Sequence, residues 1–371
     1  MIDPASWQTI PDVVQAARVA MSPPLWSFSG SGPETEVTVR RNRAAFDRLA
    51  LMPRVLRDVS NRDLCTTYLG HELTLPVMLA PVGSVQVFYP GGASGPARVA
   101  EQIGTMCYVA TNSEPGLEEV RRATTGPIVF QLYVYGDREW TLRLVRRVEK
   151  AGYDAICLTV DSADVGRRDR YLADRFQWSD RGLGSRPNVE EELPGDKRDR
   201  DRFLAAFTWE DLAWLRDQTR LPLVLKGVLS HLDAKLAVEH GVNAVHISNH
   251  GGRRQDQLPA TMEVLPKIVE AVAGRAEVVM DSGIMRGTDV VKALALGARA
   301  VFIGKLMIWA LAAGGEPGLI RTLEILRREI GASMANAGAR TVADLTPDLV
   351  VPSFAPPVAP WPVEPMVLPE P

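Results

Sequence analysis

The sequence predicts an α/β protein, a (β/α)8 TIM barrel with an N-terminal helical extension and a proline-rich C-terminal tail. Eight short apolar runs alternate with amphipathic stretches, and polar residues gather where seven of the runs end. The runs are apolar throughout, as expected of parallel strands buried on both faces. A doubly wound open sheet is the alternative, because a strand count does not establish closure. The runs are Val77–Pro81, Met106–Thr111, Ile128–Tyr133, Ala155–Val160, Leu223–Lys226, Ala244–Ser248, Val278–Asp281 and Ala300–Ile303.

Helices are predicted between these runs from their amphipathic pattern and their N-terminal signals. Thr208-Trp209-Glu210-Asp211, for example, offers a capping hydroxyl followed by an acidic first turn, which is typical of a helix start. The predicted helices are Gly136–Lys150, Trp209–Thr219, His231–His240, Thr261–Val272 and Gly287–Leu296.

The barrel pattern spans residues 61–346 and is interrupted by one insertion, and two further segments flank it. Residues 1–60 are expected to form two or three helices, one of them Glu34–Leu49, that cover the bottom or flank of the barrel. Residues 174–202 are a charged insertion that we expect not to pack, as a mobile lid or solvated loop. Residues 347–371 are dense in proline, which favours an extended, disordered tail or a strap on a neighbouring subunit.

Composition narrows the classes of protein to consider. The 371 residues are 46% hydrophobic and 23% charged, with a net charge of −3, as in globular proteins that bind neither nucleic acid nor anionic membranes. No apolar run approaches the roughly 20 residues of a membrane span, and no secretory signal is predicted at the N-terminus. Three widely spaced cysteines, Cys65, Cys107 and Cys157, two of them in apolar runs, indicate buried thiols in a reducing, cytoplasmic compartment.

Polar side chains at the carboxyl ends of the predicted strands mark a candidate active site. One lysine or histidine at a strand end is usually structural, but the carboxyl ends of barrel strands all meet at one rim. We therefore expect the side chains there to act together. In chain order these are Pro81, Val82 and Gly83; Gln131 and Tyr133; Thr159 and Asp161, with Arg168 beyond; Lys226; Ser248, His250 and Arg253; Asp281, Ser282 and Gly283; and Gly304 and Lys305.

This set of residue types suits acid–base chemistry on an anionic substrate. His250 could act as a general base oriented by Asp161, while Arg168 and Arg253 bind a carboxylate. The glycine-containing turns after the seventh and eighth strands are where barrels commonly hold a phosphate, so a phosphate-bearing cofactor is expected. The chain has no dinucleotide-binding or Walker motif in the required context, and no metal site is predicted.

One motif at these strand ends carries a clear resemblance. The sequence Ser248-Asn249-His250-Gly251-Gly252-Arg253 resembles the active-site signature of the FMN-dependent α-hydroxy acid oxidases and dehydrogenases. The resemblance runs from about Leu25 through Asp344, with its motifs in family order. The further motifs are Asn42-Arg43, Met52-Pro53-Arg54, Gln131-Leu132-Tyr133, Thr159-Val160-Asp161, Gly166-Arg167-Arg168, Leu225-Lys226-Gly227, Asp256, Leu258-Pro259-Ala260-Thr261 and Gly287 to Leu294.

The resemblance implies a role for each candidate residue. His250 would take the substrate hydroxyl proton and Asp161 would stabilise the imidazolium, while the α-hydrogen passes to the flavin. Arg168 and Arg253 would bind the substrate carboxylate, and Tyr133 would face the substrate. FMN would be held by Pro81, Val82, Gly83, Gln131, Thr159, Lys226, Ser248, Asp281, Ser282, Gly283, Arg286, Gly304 and Lys305.

The chain departs from the family pattern at the pocket and at the phosphate end. Phe28 aligns with a family tyrosine that hydrogen-bonds the substrate carboxylate, so Phe28 implies a larger or aryl substrate. Arg254 stands where a glutamine is common, and Ala110 replaces a serine. At the phosphate end, Met285 and Lys305 replace two arginines, with Arg286 adjacent.

The expected function is FMN-dependent oxidation of an (S)-2-hydroxy acid to the 2-oxo acid, with O2 as the electron acceptor. A decarboxylating monooxygenase, a different FMN barrel such as a type 2 isopentenyl-diphosphate isomerase, and a binding protein without FMN are the alternatives. Because relatives are often tetramers, the resemblance also implies a homo-oligomer.

Overall fold

Eight parallel strands of the chain close into a barrel. The computed structural model describes residues 3–164, 166–173, 187–189 and 197–353. In it β4 to β11 follow one another around the ring, and β11 pairs with β4 to close it. The predicted TIM barrel is confirmed, and the open sheet is excluded. The strands are β1 (Leu49–Leu51), β2 (Thr66–Tyr68), β3 (His71–Leu73), β4 (Val77–Leu79), β5 (Cys107–Ala110), β6 (Ile128–Leu132), β7 (Ala155–Thr159), β8 (Leu223–Val228), β9 (Ala244–Ile247), β10 (Glu277–Met280), β11 (Ala300–Ile303) and β12 (Val350–Pro352).

Helices surround the barrel and begin where the capping signals predict. Thr208 and Asp211 form a reciprocal capping box at the start of one helix, and the Asp137 carboxylate accepts from the Trp140 amide at another. Each predicted helix lies within three residues of its expected bounds. The helices are α1 (Ile10–Ala20), α2 (Pro23–Gly30), α3 (Val37–Asp47), α4 (Ser94–Ile103), α5 (Leu117–Arg122), α6 (Arg138–Ala151), α7 (Asp169–Ala173), α8 (Lys197–Ala206), α9 (Trp209–Gln218), α10 (His231–Glu239), α11 (Thr261–Val272), α12 (Gly287–Ala295) and α13 (Lys305–Ala337).

A short hairpin closes the amino end of the barrel, which the sequence reading did not predict. Strands β2 and β3 pair through a tight turn in which Leu69 and Gly70 both have positive φ, the conformation that two-residue hairpins favour. Tyr68 enters the barrel and its hydroxyl lies 2.7 Å from that of Tyr108 on β5. The interior around them is apolar, with Met78, Val129, Val279 and Phe302 among its buried side chains.

The N-terminal helices lie on the flank and at the carboxyl-end rim. Helix α1 packs on α13, as expected for the flank. Helix α3 instead docks on the loop after β9, where Asn42 and Asn249 exchange side-chain hydrogen bonds of 2.9 and 2.7 Å. The Asp256 carboxylate caps α3 by accepting from the amides of Val37 and Thr38. The predicted position at the bottom or flank is therefore wrong for α3, because this loop supplies the cap that α3 lacks.

The charged insertion packs in part. Asn188 and Val189 are buried, and the Asn188 amide accepts from the Leu117 backbone N–H and donates to the Thr111 carbonyl. The prediction that the insertion does not pack is wrong here, because this amide satisfies two buried backbone groups. The rest of the predicted lid, residues 174–186 and 190–196, lies outside the described residues.

The C-terminal segment begins as ordered structure. Residues Pro347–Leu349 form a 3-10 turn, and β12 pairs antiparallel with β1. The prediction of an extended, disordered tail from residue 347 is therefore wrong for its first residues. Residues 354–371 lie outside the described part of the chain. None of the described helices combines the length and apolar character that crossing a membrane requires.

Candidate active site

A histidine and a carboxylate form the centre of the candidate site, at the ends of β9 and β7. The Nδ1 atom of His250 lies 3.0 and 3.1 Å from the two carboxylate oxygens of Asp161. Because a carboxylate only accepts, this contact places the proton on Nδ1 and leaves Nε2 as the basic nitrogen. The imidazole side chain is 22% exposed.

The surroundings keep this histidine neutral and this aspartate ionised. Burial, with the positive charges of Lys226 and Arg254, outweighs the nearby Asp161 carboxylate and lowers the pKa of His250 to about 4. Burial alone would raise the pKa of Asp161, but His250 and Lys226 together lower it well below its usual range. At neutral pH the pair is therefore a free imidazole held by a carboxylate, which is the state a general base requires.

Glycines allow the close approach of the loops that carry this pair. Gly227 on β8 has a φ of 109°, and a Cβ there would lie 2.6 Å from the Asp161 Cβ atom. Gly252 has a φ of 71°, and a Cβ there would lie 2.9 Å from the Val39 backbone nitrogen. His250 itself has a φ of 59°, a strained conformation that is common at functional sites.

Two arginines and a phenylalanine form a cationic cluster beside the base. The guanidinium carbons of Arg168 and Arg253 lie 5.0 and 5.1 Å from the centroid of the Phe28 ring. Arg253 is fixed in place because it donates to the carbonyl oxygens of Phe28, Ser29 and Ser31. Phe28 thus supports both guanidinium groups by cation–π contacts, in a cluster suited to a carboxylate.

Tyr133 links this cationic region to the base. Its hydroxyl lies 3.4 Å from His250 Nε2 and accepts a hydrogen bond of 2.8 Å from the Arg254 guanidinium. Ser162 Oγ lies 3.4 Å from this oxygen, but it donates its one proton to the Asp161 carboxylate at 3.1 Å. Because Arg254 only donates, the phenolic proton of Tyr133 is left for Ser162 Oγ, His250 Nε2 or a bound substrate.

Buried polar atoms at the rim fit an FMN ring. Gln131 Nε2 and Thr159 Oγ1 are buried and have no hydrogen-bond partner among the described residues, although such atoms are normally satisfied. A ring with carbonyl and ring-nitrogen acceptors would supply those partners. The loop of Pro81, Val82 and Gly83 leads away from β4 at the same rim, and in it Pro81 and Val82 are half-buried and Gly83 is exposed.

A buried lysine lies next to these atoms, among acidic partners. Lys226 Nζ donates to Ser248 Oγ at 2.9 Å and lies 3.4 Å from Asp281 Oδ2. Burial would lower the pKa of Lys226, but Asp281 and Asp161 raise it, so the ammonium stays charged. Asp281 also lies 3.2 Å from Nε2 of His246, a histidine inside the barrel. A permanent positive charge here suits an anionic reduced flavin ring.

The turns after β10 and β11 carry a candidate phosphate site. Lys305 Nζ contacts only carbonyl oxygens among the described residues, those of Gly251 at 3.1 Å and Gly30 at 3.4 Å. Burial, together with the charge of Arg253, lowers the pKa of Lys305 to about 7. Gly304 directly precedes Lys305 in the turn after β11. In the turn after β10, Gly283 lies against α3 and the Ser282 hydroxyl donates to the Asp281 carboxylate.

Arg286 is paired with an acidic side chain. It forms a two-point contact with Glu329 of α13, at 3.0 and 2.7 Å. Met285 is buried, and the Asp289 carboxylate accepts from the amides of both Met285 and Arg286. We therefore propose Lys305 as the cation for the phosphate of FMN, and a role for Arg286 there stays a prediction.

The structure thus brings most of the predicted residues to one rim and adds three that sequence reasoning gave no role. Arg254 contacts Tyr133, Asp256 caps α3, and His246 contacts Asp281 inside the barrel. The sequence does mark Arg254, because it is a second arginine directly after Arg253 of the family motif. His246 is a polar residue within the apolar run Ala244–Ser248, but nothing in the sequence indicates that it contacts Asp281.

The site combines a base for a hydroxyl proton, a clamp for the neighbouring carboxylate and buried polar atoms that fit a flavin ring, which can receive hydrogen. This is the chemistry of flavin-dependent oxidoreductases of 2-hydroxy acids. The fold and the site place the chain in this class. Its residues 17–352 match the model of the FMN-dependent dehydrogenases, and the chain belongs to that family.

Known relatives agree with this membership. The chain is 40% identical to a glycolate oxidase of Spinacia oleracea over 335 residues, covering 87% of this chain and 89% of the relative. It is 39% identical to 2-hydroxyacid oxidase 1 of Homo sapiens over 355 residues, covering 92% and 95%. A solved structure of mandelate oxidase with (S)-2-phenylpropionate has a TM-score of 0.84 at 37% identity, covering 91% and 96%. FMN is therefore the cofactor of this enzyme.

Proposed function

We propose that the protein oxidises an (S)-2-hydroxy acid to the 2-oxo acid with FMN and passes the electrons to O2. The observation that carries the proposal is the basic, unprotonated Nε2 atom of His250 on the same loop as Arg253, whose guanidinium shares the Phe28 ring with Arg168. A base and a carboxylate clamp carried by one loop suit a hydroxyl group next to a carboxylate.

The reaction begins with binding of the substrate carboxylate. Arg168 and Arg253 hold it, and their contacts with Phe28 and with backbone carbonyl oxygens fix them before the substrate arrives. This preorganisation spares part of the entropic cost of ordering the site. The bound substrate presents its hydroxyl to His250 Nε2 and to the Tyr133 hydroxyl.

Proton removal is the step that this chain performs directly. His250 Nε2 accepts the hydroxyl proton, and the Asp161 carboxylate stabilises the imidazolium through Nδ1. FMN, when bound, supplies the two-electron acceptor that takes the hydrogen from the substrate α-carbon. Lys226, held at Ser248 and Asp281, provides the positive charge that offsets the negative charge gained by the cofactor.

The electron acceptor is proposed from the relatives described above, which are named oxidases. An oxidase yields the 2-oxo acid and hydrogen peroxide. A decarboxylating monooxygenase would instead yield an acid one carbon shorter, carbon dioxide and water, so the products tell the two reactions apart.

The substrate side chain is proposed to be larger than the methyl group of lactate. Phe28 removes the hydroxyl with which the family tyrosine binds small substrates, and this weakens the hold on the carboxylate of a small acid. Mandelate is one candidate, favoured by the similarity to mandelate oxidase.

The proposal is tested by adding a panel of 2-hydroxy acids to the FMN-loaded protein without oxygen. We expect (S)-enantiomers to bleach the visible flavin absorbance, (R)-enantiomers not to do so, and air to restore it with formation of hydrogen peroxide. Bleaching by none of the acids, or a protein that binds no added FMN, would contradict the proposal.

A further inference from the structure

The Arg254 guanidinium is a cation that the carboxylate clamp does not require. It lies one residue beyond Arg253, and its carbon is 5.7 Å from the centroid of the Tyr133 ring. One terminal nitrogen donates to the Tyr133 hydroxyl, while its Nε is buried without a partner among the described residues. A buried donor without an acceptor is unfavourable, so a ligand that accepts there would be stabilised.

Arg254 is close to the reaction centre but outside the Arg168–Phe28–Arg253 cluster. A single phenolic oxygen, that of Tyr133, separates its guanidinium from His250 Nε2. The positive charge of Arg254 contributes to the lowered pKa of His250 and, after burial and Arg168, to that of Arg253. The pocket thus holds cations next to two different aromatic rings, and the base lies by the second.

The balance of charge favours a substrate with two negative groups. Among the described residues, Lys226 is offset by Asp281, and Glu36 is offset by Arg170 at 2.9 Å. Arg254 has no acidic side chain within ion-pair distance among the described residues, and its Nε has no hydrogen-bond partner there. A single carboxylate held at Arg168 and Arg253 leaves the Arg254 charge unpaired, whereas a second carboxylate on the same substrate would pair with it. Buried charges are costly unless they are paired.

From this position and this balance we propose that Arg254 is a second anion-binding position, which selects short 2-hydroxy diacids. The carboxylate next to the hydroxyl lies at Arg168 and Arg253, and the distal carboxylate accepts hydrogen bonds from Arg254. The inference rests on the proposed function and names the substrate class of that same site. A diacid also satisfies the requirement for a side chain larger than that of lactate.

Two other roles for Arg254 predict different results. If Arg254 replaced the hydroxyl missing at Phe28, it would bind the carboxylate next to the hydroxyl, and all substrates would depend on it equally. If it only oriented Tyr133, its loss would slow reduction by every substrate without a change of preference. Of the three roles, only binding of a distal carboxylate predicts that the loss of Arg254 weakens the binding of diacids more than that of monoacids.

The test compares anaerobic flavin reduction by (S)-malate and (S)-2-hydroxyglutarate with reduction by monoacids of matched length, (S)-2-hydroxybutyrate and (S)-2-hydroxyvalerate. It uses the FMN-loaded wild-type protein and the variants Arg254→Gln and Arg254→Lys. Arg147→Gln is the control, since Arg147 pairs with Glu118 on the outer surface and its loss changes the net charge equally. Flavin content shows that each variant is folded.

We expect the wild-type protein to bind diacids at least about tenfold more tightly than the matched monoacids, as a charged hydrogen bond implies. Arg254→Gln abolishes this advantage, so diacid binding weakens at least about tenfold more than monoacid binding. Any change of reduction rate that acts through Tyr133 and His250 is the same for both classes of acid. Arg254→Lys keeps part of the diacid advantage, and Arg147→Gln keeps all of it.

Three results would overturn the inference. They are equal binding of diacids and monoacids by the wild-type protein, equal losses for both classes in Arg254→Gln, and a preference for mandelate over the diacids. Each leaves the proposed function standing as long as some (S)-2-hydroxy acid reduces the flavin. Reduction by no acid at all would overturn both.

Discussion

The two ends of the barrel differ in whether their buried polar groups have hydrogen-bond partners. At the amino end, the hydroxyl groups of Tyr68 and Tyr108 are paired, and apolar side chains surround them. At the carboxyl end, Gln131 Nε2, Thr159 Oγ1 and Arg254 Nε are buried without partners among the described residues. The same strands run through both ends, so the difference lies in the loops that follow them.

This difference distinguishes groups that stabilise the fold from groups that await a ligand. A satisfied buried pair contributes to folding, whereas an unsatisfied one lowers stability until a ligand binds. The strained φ of His250 and the lowered pKa of Lys305 belong to the same end. Substitutions at the two ends should therefore separate into effects on chemistry and effects on stability.

The largest expected effect follows loss of the base. His250→Ala should lower the rate of anaerobic flavin reduction by about 10²–10⁴-fold, the range for general bases, and FMN should stay bound. Stopped-flow absorbance measures the rate. His240→Ala is the matched control, because that histidine lies at the outer end of α10 and its loss should leave the rate unchanged. A His250→Ala rate within tenfold of wild type would refute its role.

The next effect concerns the carboxylate cluster. Phe28→Tyr places a hydroxyl next to the two guanidinium groups that flank this ring. A hydrogen bond to a charged group contributes about 1.5–3 kcal/mol, so the KM for glycolate or lactate should fall by about 10–100-fold. Steady-state peroxide formation measures it. An unchanged KM would show that residue 28 does not reach the carboxylate.

A smaller, pH-dependent effect is expected at the phosphate end. The pKa of Lys305 without ligand is about 7, and a bound phosphate should raise it, so FMN binding takes up a proton. FMN affinity should then be constant below about pH 7 and fall by up to about tenfold per pH unit above it. Fluorescence titration of FMN measures this. Lys305→Arg should remove the dependence, since arginine stays charged; a wild-type affinity that does not change with pH would contradict the assignment.

The smallest effect on chemistry is expected at the amino end. Tyr68→Phe leaves the Tyr108 hydroxyl without its partner in the barrel interior and should lower the free energy of unfolding by about 1–3 kcal/mol. Denaturant titration measures this loss. Flavin reduction should stay at the wild-type rate, and a large loss of rate would mean that the two ends are coupled.

The barrel and most of its site could be predicted from the sequence because both depend on local patterns. Strands buried on both faces are continuous apolar runs, and their carboxyl ends meet at one rim, so His250, Asp161 and Arg253 could be grouped without coordinates. The β2–β3 hairpin was missed because its strands have three residues each, too few for a periodic signal.

What could not be predicted depends on contacts between distant segments. The position of α3 at the rim follows from Asp256 and Asn249, which lie more than 200 residues further along the chain. The pairing of Arg286 with Glu329 likewise joins two helices that no local pattern connects. The homo-oligomer and the cytoplasmic location stay predictions.

The most direct test is a crystal structure of the FMN-loaded protein with a 2-oxo acid bound. The account predicts the product carboxylate at Arg168 and Arg253, and its keto oxygen within hydrogen-bond distance of both His250 Nε2 and the Tyr133 hydroxyl. A product carboxylate bound away from these arginines, or a flavin ring too distant to face the imidazole, would contradict it.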